Sequence, residues 1–294
     1  MASKETRLGG IFPALLTPLH EDDTVNSSSL EKLLERVYRA GVDGVYVCGS
    51  TGEGVSLPEA ERRKITEITV RNSAGKQVIV HVGSQSLDES VRLAEHAEQT
   101  GAAAVSCIRP AGADYNEMLA WYRMLAGNTS LPFLAYYFPA STGGPLSIDQ
   151  LNEICRIPGV RGVKFTDYDL YTLSLLARQG NLVFNGRDEV LAAGLLMGAC
   201  GGIGSIYNLM PDWFVQLNRL ALAGNWSEAR AWQDRINNLI RVLVRYPFPL
   251  VLKQVLTWEG IECGGVVGRK TVLSLDQQAS LRAALDALGI FTFA

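Results

Sequence analysis

The sequence predicts a (β/α)8 barrel followed by a C-terminal extension of three helices. Three observations support this fold class. Short apolar runs recur at a spacing of roughly 30 residues, which suits one strand and one helix per unit. Segments with helical periodicity lie between the runs, and no strand-like run follows about residue 225. The 294 residues suffice for such a barrel, whose usual size is about 250 residues.

Eight apolar runs are predicted to be strands. They span residues 10–18, 44–50, 77–84, 103–110, 132–139, 160–166, 182–188 and 201–206. Most are apolar throughout rather than alternating, which is typical of strands buried on both faces of a parallel sheet. A doubly wound open sheet is the competing fold, but no G-x-G-x-x-G follows the first run.

The segments between the runs are predicted to be helices. Leu30, Leu33, Leu34 and Val37 have the spacing of one helical face. Four capping boxes predict helix starts at Ser28, Ser56, Ser86 and Ser147. Glycines that can adopt the left-handed cap predict helix ends at Gly41, Gly101 and Gly180.

The last part of the chain is predicted to be purely helical. Helices are expected at 227–246, 249–259 and 274–288, the last with a capping box at Ser274. We therefore divide the chain into a catalytic barrel domain, 1–224, and a C-terminal helical extension, 225–294. The extension is expected to pack on the barrel and not to fold alone.

Composition excludes several functional classes. The net charge of −3 gives no reason to expect nucleic acid or an anionic membrane as a partner. The five cysteines form no C-x-x-C pair, and no metal-ligand spacing occurs, so we expect no metal. No signal peptide or membrane span of about 18 apolar residues is visible, which predicts a cytoplasmic protein.

Lys164 is the first candidate catalytic residue. It lies near the end of the apolar run 160–166, where a charged ammonium is costly to bury. Its pKa should therefore fall, and a neutral amine is what a Schiff-base nucleophile requires. The alternative is that the side chain reaches solvent at the strand end and has no catalytic function.

The ends of the other strands favour the catalytic interpretation. In a (β/α)8 barrel the active site forms at the carboxyl ends of the strands. Hydroxyls, one phenol and a carboxylate pair are predicted to meet Lys164 there. The strand ends hold Thr17, residues 49–53, Ser84, Arg109, residues 136–139, residues 164–166, residues 186–189 and Ser205.

Three of these segments together resemble a known family. They are Gly-Ser-Thr-Gly-Glu at 49–53, Tyr136 with Pro139, and Gly-Val-Lys ending at Lys164. In this order they resemble the dihydrodipicolinate synthase / N-acetylneuraminate lyase superfamily of pyruvate-dependent class I aldolases. The resemblance runs through nearly the whole chain. Each segment alone is weak evidence, since a strand tyrosine or a glycine-hydroxyl loop is common in any core.

The resemblance implies a role for each residue. Lys164 would form a Schiff base with the keto carbon of a 2-keto acid, and Tyr136 would carry protons beside the imine. Ser50 and Thr51 would bind the substrate carboxylate, Thr51 also serving catalysis. No cofactor or metal is implied beyond the covalent adduct on Lys164. The family also implies a homotetramer, a dimer of dimers.

Further residues resemble the N-acetylneuraminate lyase branch. Ser141 stands where dihydrodipicolinate synthases usually carry an arginine, and a serine cannot make a charged fork to a carboxylate. The segments 185–189 and 201–208 resemble sugar-binding segments of the lyases. The predicted ligands of the sugar tail are Thr166, Gly186, Asp188, Glu189 and Ser205. Asp188 and Glu189 could instead stabilise a helix N-terminus, and both roles are compatible.

The segment after the fourth strand departs from the family pattern. Many members carry there a tyrosine that relays protons into a neighbouring subunit's site, whereas this chain has Pro-Ala-Gly-Ala-Asp followed by Tyr115. Either another hydroxyl or water is expected to complete the relay. Arg109 is predicted to be a surface or interface residue, His81 a core histidine, and Lys253 part of an amphipathic helix face.

The leading hypothesis is a lyase that cleaves a 2-keto-3-deoxy sugar acid, N-acetylneuraminate above all, to pyruvate and an aldehyde. The alternatives are a 2-keto-3-deoxygluconate-type aldolase or a condensing and dehydrating enzyme like dihydrodipicolinate synthase. A hypothesis of another class is a catalytically silent barrel that binds a keto acid.

Overall fold

The computed structural model describes residues 8–269 and 272–290 and has the predicted barrel. Its eight parallel strands are β1 (Gly10–Pro13), β2 (Gly44–Val47), β3 (Gln77–His81), β4 (Ala104–Ile108), β5 (Phe133–Tyr137), β6 (Val160–Phe165), β7 (Leu182–Asn185) and β8 (Gly201–Gly204). Each strand pairs with its sequence neighbour, and β8 returns to β1. A parallel bridge between Ala14 and Tyr46 joins the ends of β1 and β2 and closes the barrel.

Helices alternate with the strands and continue beyond them. The described residues form α1 (Ser27–Arg39), α2 (Glu59–Arg71), α3 (Leu87–Thr100), α4 (Tyr115–Gly127), α5 (Ile148–Cys155), α6 (Leu170–Arg178), α7 (Leu191–Leu196), α8 (Pro211–Leu222), α9 (Trp226–Leu243), α10 (Leu250–Trp258) and α11 (Leu275–Asp286). The last three are the predicted extension, so the fold class is confirmed. No described helix is long and apolar enough to cross a membrane.

The strands are shorter than the apolar runs that predicted them. The run 10–18 contains only the four residues of β1, yet Leu15, Leu16 and Leu19 beyond it remain buried. Residues that follow a strand leave the sheet but are still covered by neighbouring loops and helices. Apolar character therefore continues past the last ladder hydrogen bond, and the sequence cannot show where the strand ends.

Two predicted helix starts are wrong and three are confirmed. Helix α1 is capped by Asn26, whose side chain accepts from the Ser29 backbone N–H, and not by Ser28. Ser56 belongs to a 3-10 turn, and α2 begins after Pro58 without a side-chain cap. The predicted starts at Ser86, Ser147 and Ser274 are N-caps in the structure.

The core has two layers. Inside the barrel, buried side chains from seven of the eight strands or their flanks pack together, among them Phe12, Tyr46, Leu134, Phe184 and Ile203. A second layer lies between the strands and the helices, and it also contains Ile236, Leu239, Val251 and Val255 of α9 and α10. The barrel interior is thus filled by side chains, and active sites of this fold lie at the carboxyl ends of the strands.

Candidate active site

A cavity of about 370 Å³ opens at the carboxyl ends of the strands. It is lined by strand-end and extension residues: Ser50, Thr51, Tyr136, Phe138, Lys164, Thr166, Gly186, Arg187, Asp188, Glu189, Ile203, Ser205, Ile206, Ile240, Val244, Phe248 and Pro249. All nine predicted site residues, from Ser50 to Ser205, are therefore brought together. The four lining residues from 240 onward belong to α9 or the segment before α10, so the extension forms one wall.

Lys164 lies on the inward face of β6. Its side chain is only 4% exposed, and its Nζ lies 3.8 Å from the centre of the Tyr136 ring and 4.4 Å from that of Tyr46. In residues 8–269 and 272–290 no carboxylate is within ion-pair distance of this nitrogen. The side chain does not reach bulk solvent, as the non-catalytic alternative required. Lys164 therefore faces aromatic rings inside the cavity.

Tyr136 is held between other rings. Its register partner across the ladder is Lys164, which puts the two side chains side by side on the inner face. The rings of Tyr46 and His81 meet it edge-on at 6.3 and 6.2 Å, and Phe138 stacks against it at 6.1 Å. Such contacts restrict the phenol to one position. The sequence did not predict Tyr46 as part of the site.

His81 is a core residue, as predicted, although its ring touches Tyr136. Its Nε2 accepts a hydrogen bond from the Ile108 backbone N–H at 3.1 Å. Burial, aided by Arg62 and Lys164, lowers the pKa of His81 well below its ordinary value. The ring is thus a neutral neighbour of the site at physiological pH.

The loop after β2 carries the predicted carboxylate-binding residues. Thr51 Oγ1 and Ser205 Oγ are hydrogen-bonded at 2.6 Å, which links the ends of β2 and β8. The Thr17 hydroxyl donates to the Gly52 carbonyl at 2.7 Å, which holds the loop after β2 in place. The hydroxyls of Ser50 and Thr51 are therefore presented to the cavity by a braced loop.

Lys253 corrects the sequence interpretation. It was predicted to lie on an amphipathic helix face, but it is 0% exposed within α10. Its Nζ lies 2.6 Å from Glu53 Oε1 and donates to the Gly265 carbonyl at 2.6 Å. Glu53 Oε2 accepts from the Val267 backbone N–H at 2.7 Å. A buried ion pair thus ties the loop after β2 to the extension.

The carboxylate pair of Asp188 and Glu189 lines the cavity from the segment after β7. Asp188 Oδ2 accepts from the Ile206 backbone N–H at 2.8 Å, so this carboxylate spans to the loop after β8 and does not cap α7. A Cβ at Gly204 would lie 1.9 Å from Asp188 Oδ1, so only glycine leaves room for the carboxyl. Glu189 accepts a hydrogen bond from the Tyr168 hydroxyl.

The polar groups on this side keep unused hydrogen-bonding capacity. Burial raises the pKa of Asp188 from 3.8 to about 7, partly offset by the Ile206 N–H and Lys164. Thr166 Oγ1 is buried and has no hydrogen-bond partner among the described residues. A Cβ at Gly186 would lie 2.1 Å from that oxygen, so glycine keeps it accessible. Asp188 near neutral pH is both a donor and an acceptor.

Tyr115, the displaced relay candidate, and Arg109, predicted to be a surface or interface residue, both lie outside the cavity. The Tyr115 hydroxyl donates to Glu153 Oε2 at 2.8 Å and to the Gln150 carbonyl on α5. Arg109 is half-buried and donates to the Ala113 carbonyl at 2.8 Å. Neither residue lines the cavity. Among the described residues, the hydroxyls that line the cavity are those of Ser50, Thr51, Tyr136, Thr166 and Ser205.

Comparisons with known proteins agree with this site. The model of the Dihydrodipicolinate synthetase family matches residues 7–288. The chain belongs to this family. It is an enzyme of the lyase class, the class of the pyruvate aldolases that it resembles.

Among members of this family, the chain is similar to several N-acetylneuraminate lyases and to solved structures of such enzymes. An N-acetylneuraminate lyase of Rhizobium meliloti is 38% identical over 244 residues, 81% of each chain. One of Escherichia coli is 36% identical over 257 residues, covering 85% of this chain and 86% of the relative. A crystal structure of CdNal from Clostridium difficile in complex with mannosamine has a TM-score of 0.91 at 28% identity, over 96% of this chain and 100% of that one. A sialic acid aldolase of Ruminococcus gnavus has a TM-score of 0.90 at 26% identity, over 96% and 97%.

Proposed function

We propose that this protein is a class I aldolase that cleaves N-acetylneuraminate to pyruvate and N-acetylmannosamine. The observation that carries the proposal is the buried amine of Lys164, 3.8 Å from the Tyr136 ring and without a carboxylate partner among the described residues. The relatives named N-acetylneuraminate lyase at 36–38% identity support the choice of substrate.

Lys164 acts first in this proposal. Its amine adds to the C2 keto carbon of the open-chain sugar acid, and loss of water with uptake of one proton gives a protonated imine. The iminium accepts the electrons of the C3–C4 bond as this bond breaks, and the C4 hydroxyl loses its proton to form the aldehyde. The resulting enamine is protonated at C3, and water then releases pyruvate and the free lysine.

Tyr136 moves the protons in these steps. Its hydroxyl lies beside the imine nitrogen, where it accepts the C4 hydroxyl proton during cleavage as it passes its own proton to the Thr51 hydroxyl. The proton lost at C4 is balanced by the one that C3 gains. Thr51 and Ser50 bind the substrate carboxylate, and Thr51 exchanges protons with Tyr136 through its own hydroxyl. The Thr51–Ser205 hydrogen bond of 2.6 Å supports such an exchange within one chain. This arrangement replaces the relay tyrosine that the segment after β4 lacks.

The remaining polar residues bind the sugar tail. Thr166, Gly186, Asp188, Glu189 and Ser205 offer hydroxyl, carbonyl and carboxyl groups to the substrate hydroxyls. The Thr166 oxygen, which has no partner among the described residues, and Asp188, whose pKa is raised by burial, support this assignment, because both can form further hydrogen bonds inside the cavity.

The chemistry needs no metal or cofactor in this proposal, because the imine is itself the electron sink. Activity should therefore be unchanged after treatment with a chelator and gel filtration. Loss of activity that a divalent metal restores would contradict this part of the proposal.

We also propose a homotetramer, a dimer of dimers, that works in the cytoplasm, with residues 1–224 as catalytic barrel and 225–294 as the extension. The tetramer rests on the family resemblance alone. Sedimentation at working concentration should give the mass of four chains of 32.0 kDa, and a monomer would contradict it.

The substrate is tested by the release of pyruvate from N-acetylneuraminate, read with lactate dehydrogenase. We expect saturable release that disappears in Lys164→Ala. If pyruvate is not released, N-acetylneuraminate is not the substrate. The silent-barrel alternative would then require pyruvate to bind without an adduct that borohydride traps.

A further inference from the structure

Arg187 lies in the cavity and was not among the predicted site residues. It follows β7 between Gly186 and Asp188 and forms part of the cavity wall. Its guanidinium lies 5.3 Å from the centre of the Phe138 ring and 4.5 Å from that of Tyr168. Stacking between two rings covers the faces of a guanidinium and leaves its N–H edges available to a ligand.

Arg187 has no carboxylate partner among the described residues. The ion pairs among residues 8–269 and 272–290 do not include Arg187. Its Nε is buried without a hydrogen-bond partner in the same part of the chain. The nearby Glu189 carboxylate accepts from the Tyr168 hydroxyl instead. A buried donor without an acceptor is costly unless a ligand completes it.

The position of Arg187 decides which part of the substrate it can bind. That part is distant from the keto carbon bound to Lys164. Lys164 pairs with Phe184 in the register of β6 and β7, and Arg187 follows three residues later. Since β7 ends at Asn185, Arg187 lies beyond the strand end. Lys164 Nζ lies over the Tyr136 ring and the guanidinium over the Phe138 ring, and the centres of these two rings are 6.1 Å apart. A group that reaches the guanidinium from an imine on Lys164 must therefore be several bonds from the keto carbon. The carboxylate at C1 is too close, and it faces Ser50 and Thr51.

A carboxylate is the best hydrogen-bond partner for such a guanidinium. The planar guanidinium fits a carboxylate through two parallel N–H···O bonds, and this pairing is stronger than a bond to a neutral oxygen. Ser141, where synthases of the family usually carry their carboxylate-binding arginine, is exposed and turns its hydroxyl to the Phe138 carbonyl at 3.3 Å. Arg187 thus supplies from β7 a charged fork that the loop after β5 lacks.

We propose that Arg187 is a specificity residue that extends the substrate range to 2-keto-3-deoxy acids with a second carboxylate at the far end of a six-carbon chain. The proposal rests on the Schiff-base mechanism of the proposed function, though not on N-acetylneuraminate as substrate. Cleavage of such a dianion breaks C3–C4 and gives pyruvate and a three-carbon aldehyde that keeps the distal carboxylate. The C4 hydroxyl proton leaves and C3 gains a proton, so no other reactant is needed.

A matched pair of substrates tests the proposal. One is the six-carbon 2-keto-3-deoxy acid with a terminal carboxylate, and the other has the same stereochemistry with a terminal CH2OH. The wild-type enzyme should cleave the dianion with a kcat/KM at least about tenfold higher, the scale of one charge-assisted hydrogen bond. Equal values, or a preference for the alcohol, would overturn the proposal.

Variants of Arg187 distinguish a role in substrate recognition from a purely structural role. In Arg187→Gln the preference should disappear through a higher KM for the dianion, with kcat for the alcohol little changed. Arg187→Lys should recover part of it, because the charge returns without the fork. Arg230→Gln is the matched control, since this arginine is 83% exposed on α9. If Arg187→Gln lowers the kcat/KM of both substrates equally, the residue is only structural and the proposal fails.

The two proposals fail in different ways. A chain that cleaves the dianion but not N-acetylneuraminate would contradict the proposed substrate and leave the inference intact. A chain that cleaves N-acetylneuraminate without preferring the dianion would contradict the inference alone.

Discussion

Two buried lysines of this chain have opposite surroundings. Lys253 in α10 is 0% exposed, and its ammonium is paired with Glu53 and bonded to the Gly265 carbonyl. Lys164 in β6 is 4% exposed, and the rings of Tyr136 and Tyr46 are its neighbours. The Lys253 nitrogen has a carboxylate and a carbonyl as partners, whereas the Lys164 nitrogen faces the cavity.

The difference separates a structural lysine from a reactive one. A buried ammonium is tolerated when a carboxylate pairs with it. Such a nitrogen has no free electron pair with which to attack a ketone. An amine that lacks a paired carboxylate can release its proton and become a nucleophile. Burial alone therefore does not identify the catalytic lysine, and its partners do.

Replacing Lys164 should have the largest effect on activity. Lys164→Arg keeps the charge near the rings but cannot form an imine, so turnover should fall by more than about 1,000-fold, as for loss of a nucleophile. Steady-state pyruvate release measures the loss, and thermal unfolding checks the fold. An Arg variant with activity near that of the wild type would show that the amine does not react.

Tyr136→Phe tests whether the rings around Lys164 only pack or also move protons. The ring contacts remain, so imine formation with pyruvate should persist, while kcat for cleavage should fall by roughly 100- to 10,000-fold. Borohydride trapping and steady-state kinetics measure the two properties separately. Unchanged kcat would assign the tyrosine to packing alone.

Lys253→Met should affect stability more than chemistry. It leaves the Glu53 carboxylate buried without its partner, so the free energy of unfolding should fall by about 3–5 kcal/mol. Urea denaturation measures this change. The double variant Lys253→Met with Glu53→Gln removes both charges and should recover much of the loss. A double variant no more stable than the single one would contradict a role for the ion pair.

Asp188 is the carboxyl group whose charge Lys164 partly stabilises, and its protonation should appear in the stability of the fold. Its native pKa of about 7 lies above the ordinary 3.8, so the folded state binds the extra proton and stability falls as pH rises between those values. Asp188→Asn keeps an acceptor for the Ile206 N–H and removes the titration. The stability of the wild type relative to this variant should be about 2–3 kcal/mol greater at about pH 5 than at about pH 8. A pH-independent difference in urea denaturation would contradict the raised pKa.

The barrel was predictable because its signals are local. Apolar runs, helical periodicity and terminal glycines occur within each strand–helix unit, and they located all eight strands and the three final helices. The helix starts near Ser28 and Ser56 were wrong because Asn26 and Pro58 supply equally local signals that the capping-box pattern does not weigh. The exact first residue of a helix can therefore shift by one or two positions when a neighbouring residue also favours a helix start.

The strand-end residues were predictable, but their partners were not. The chain order alone puts Lys164 and Tyr136 on neighbouring strand ends. The Lys253–Glu53 pair joins residues 200 positions apart, and an apolar helix containing one lysine does not reveal which way it points. Arg187 was missed because an arginine in a polar loop is usually exposed. Only its position between Phe138 and Tyr168 shows that it belongs to the cavity.

The most direct test is to reduce the protein with borohydride in the presence of pyruvate and map the modified peptide by mass spectrometry. The comparison of the two lysines predicts one adduct, on Lys164, and none on Lys253. An adduct on Lys253, or pyruvate bound with no adduct at all, would contradict the assignment of Lys164 as the reactive amine.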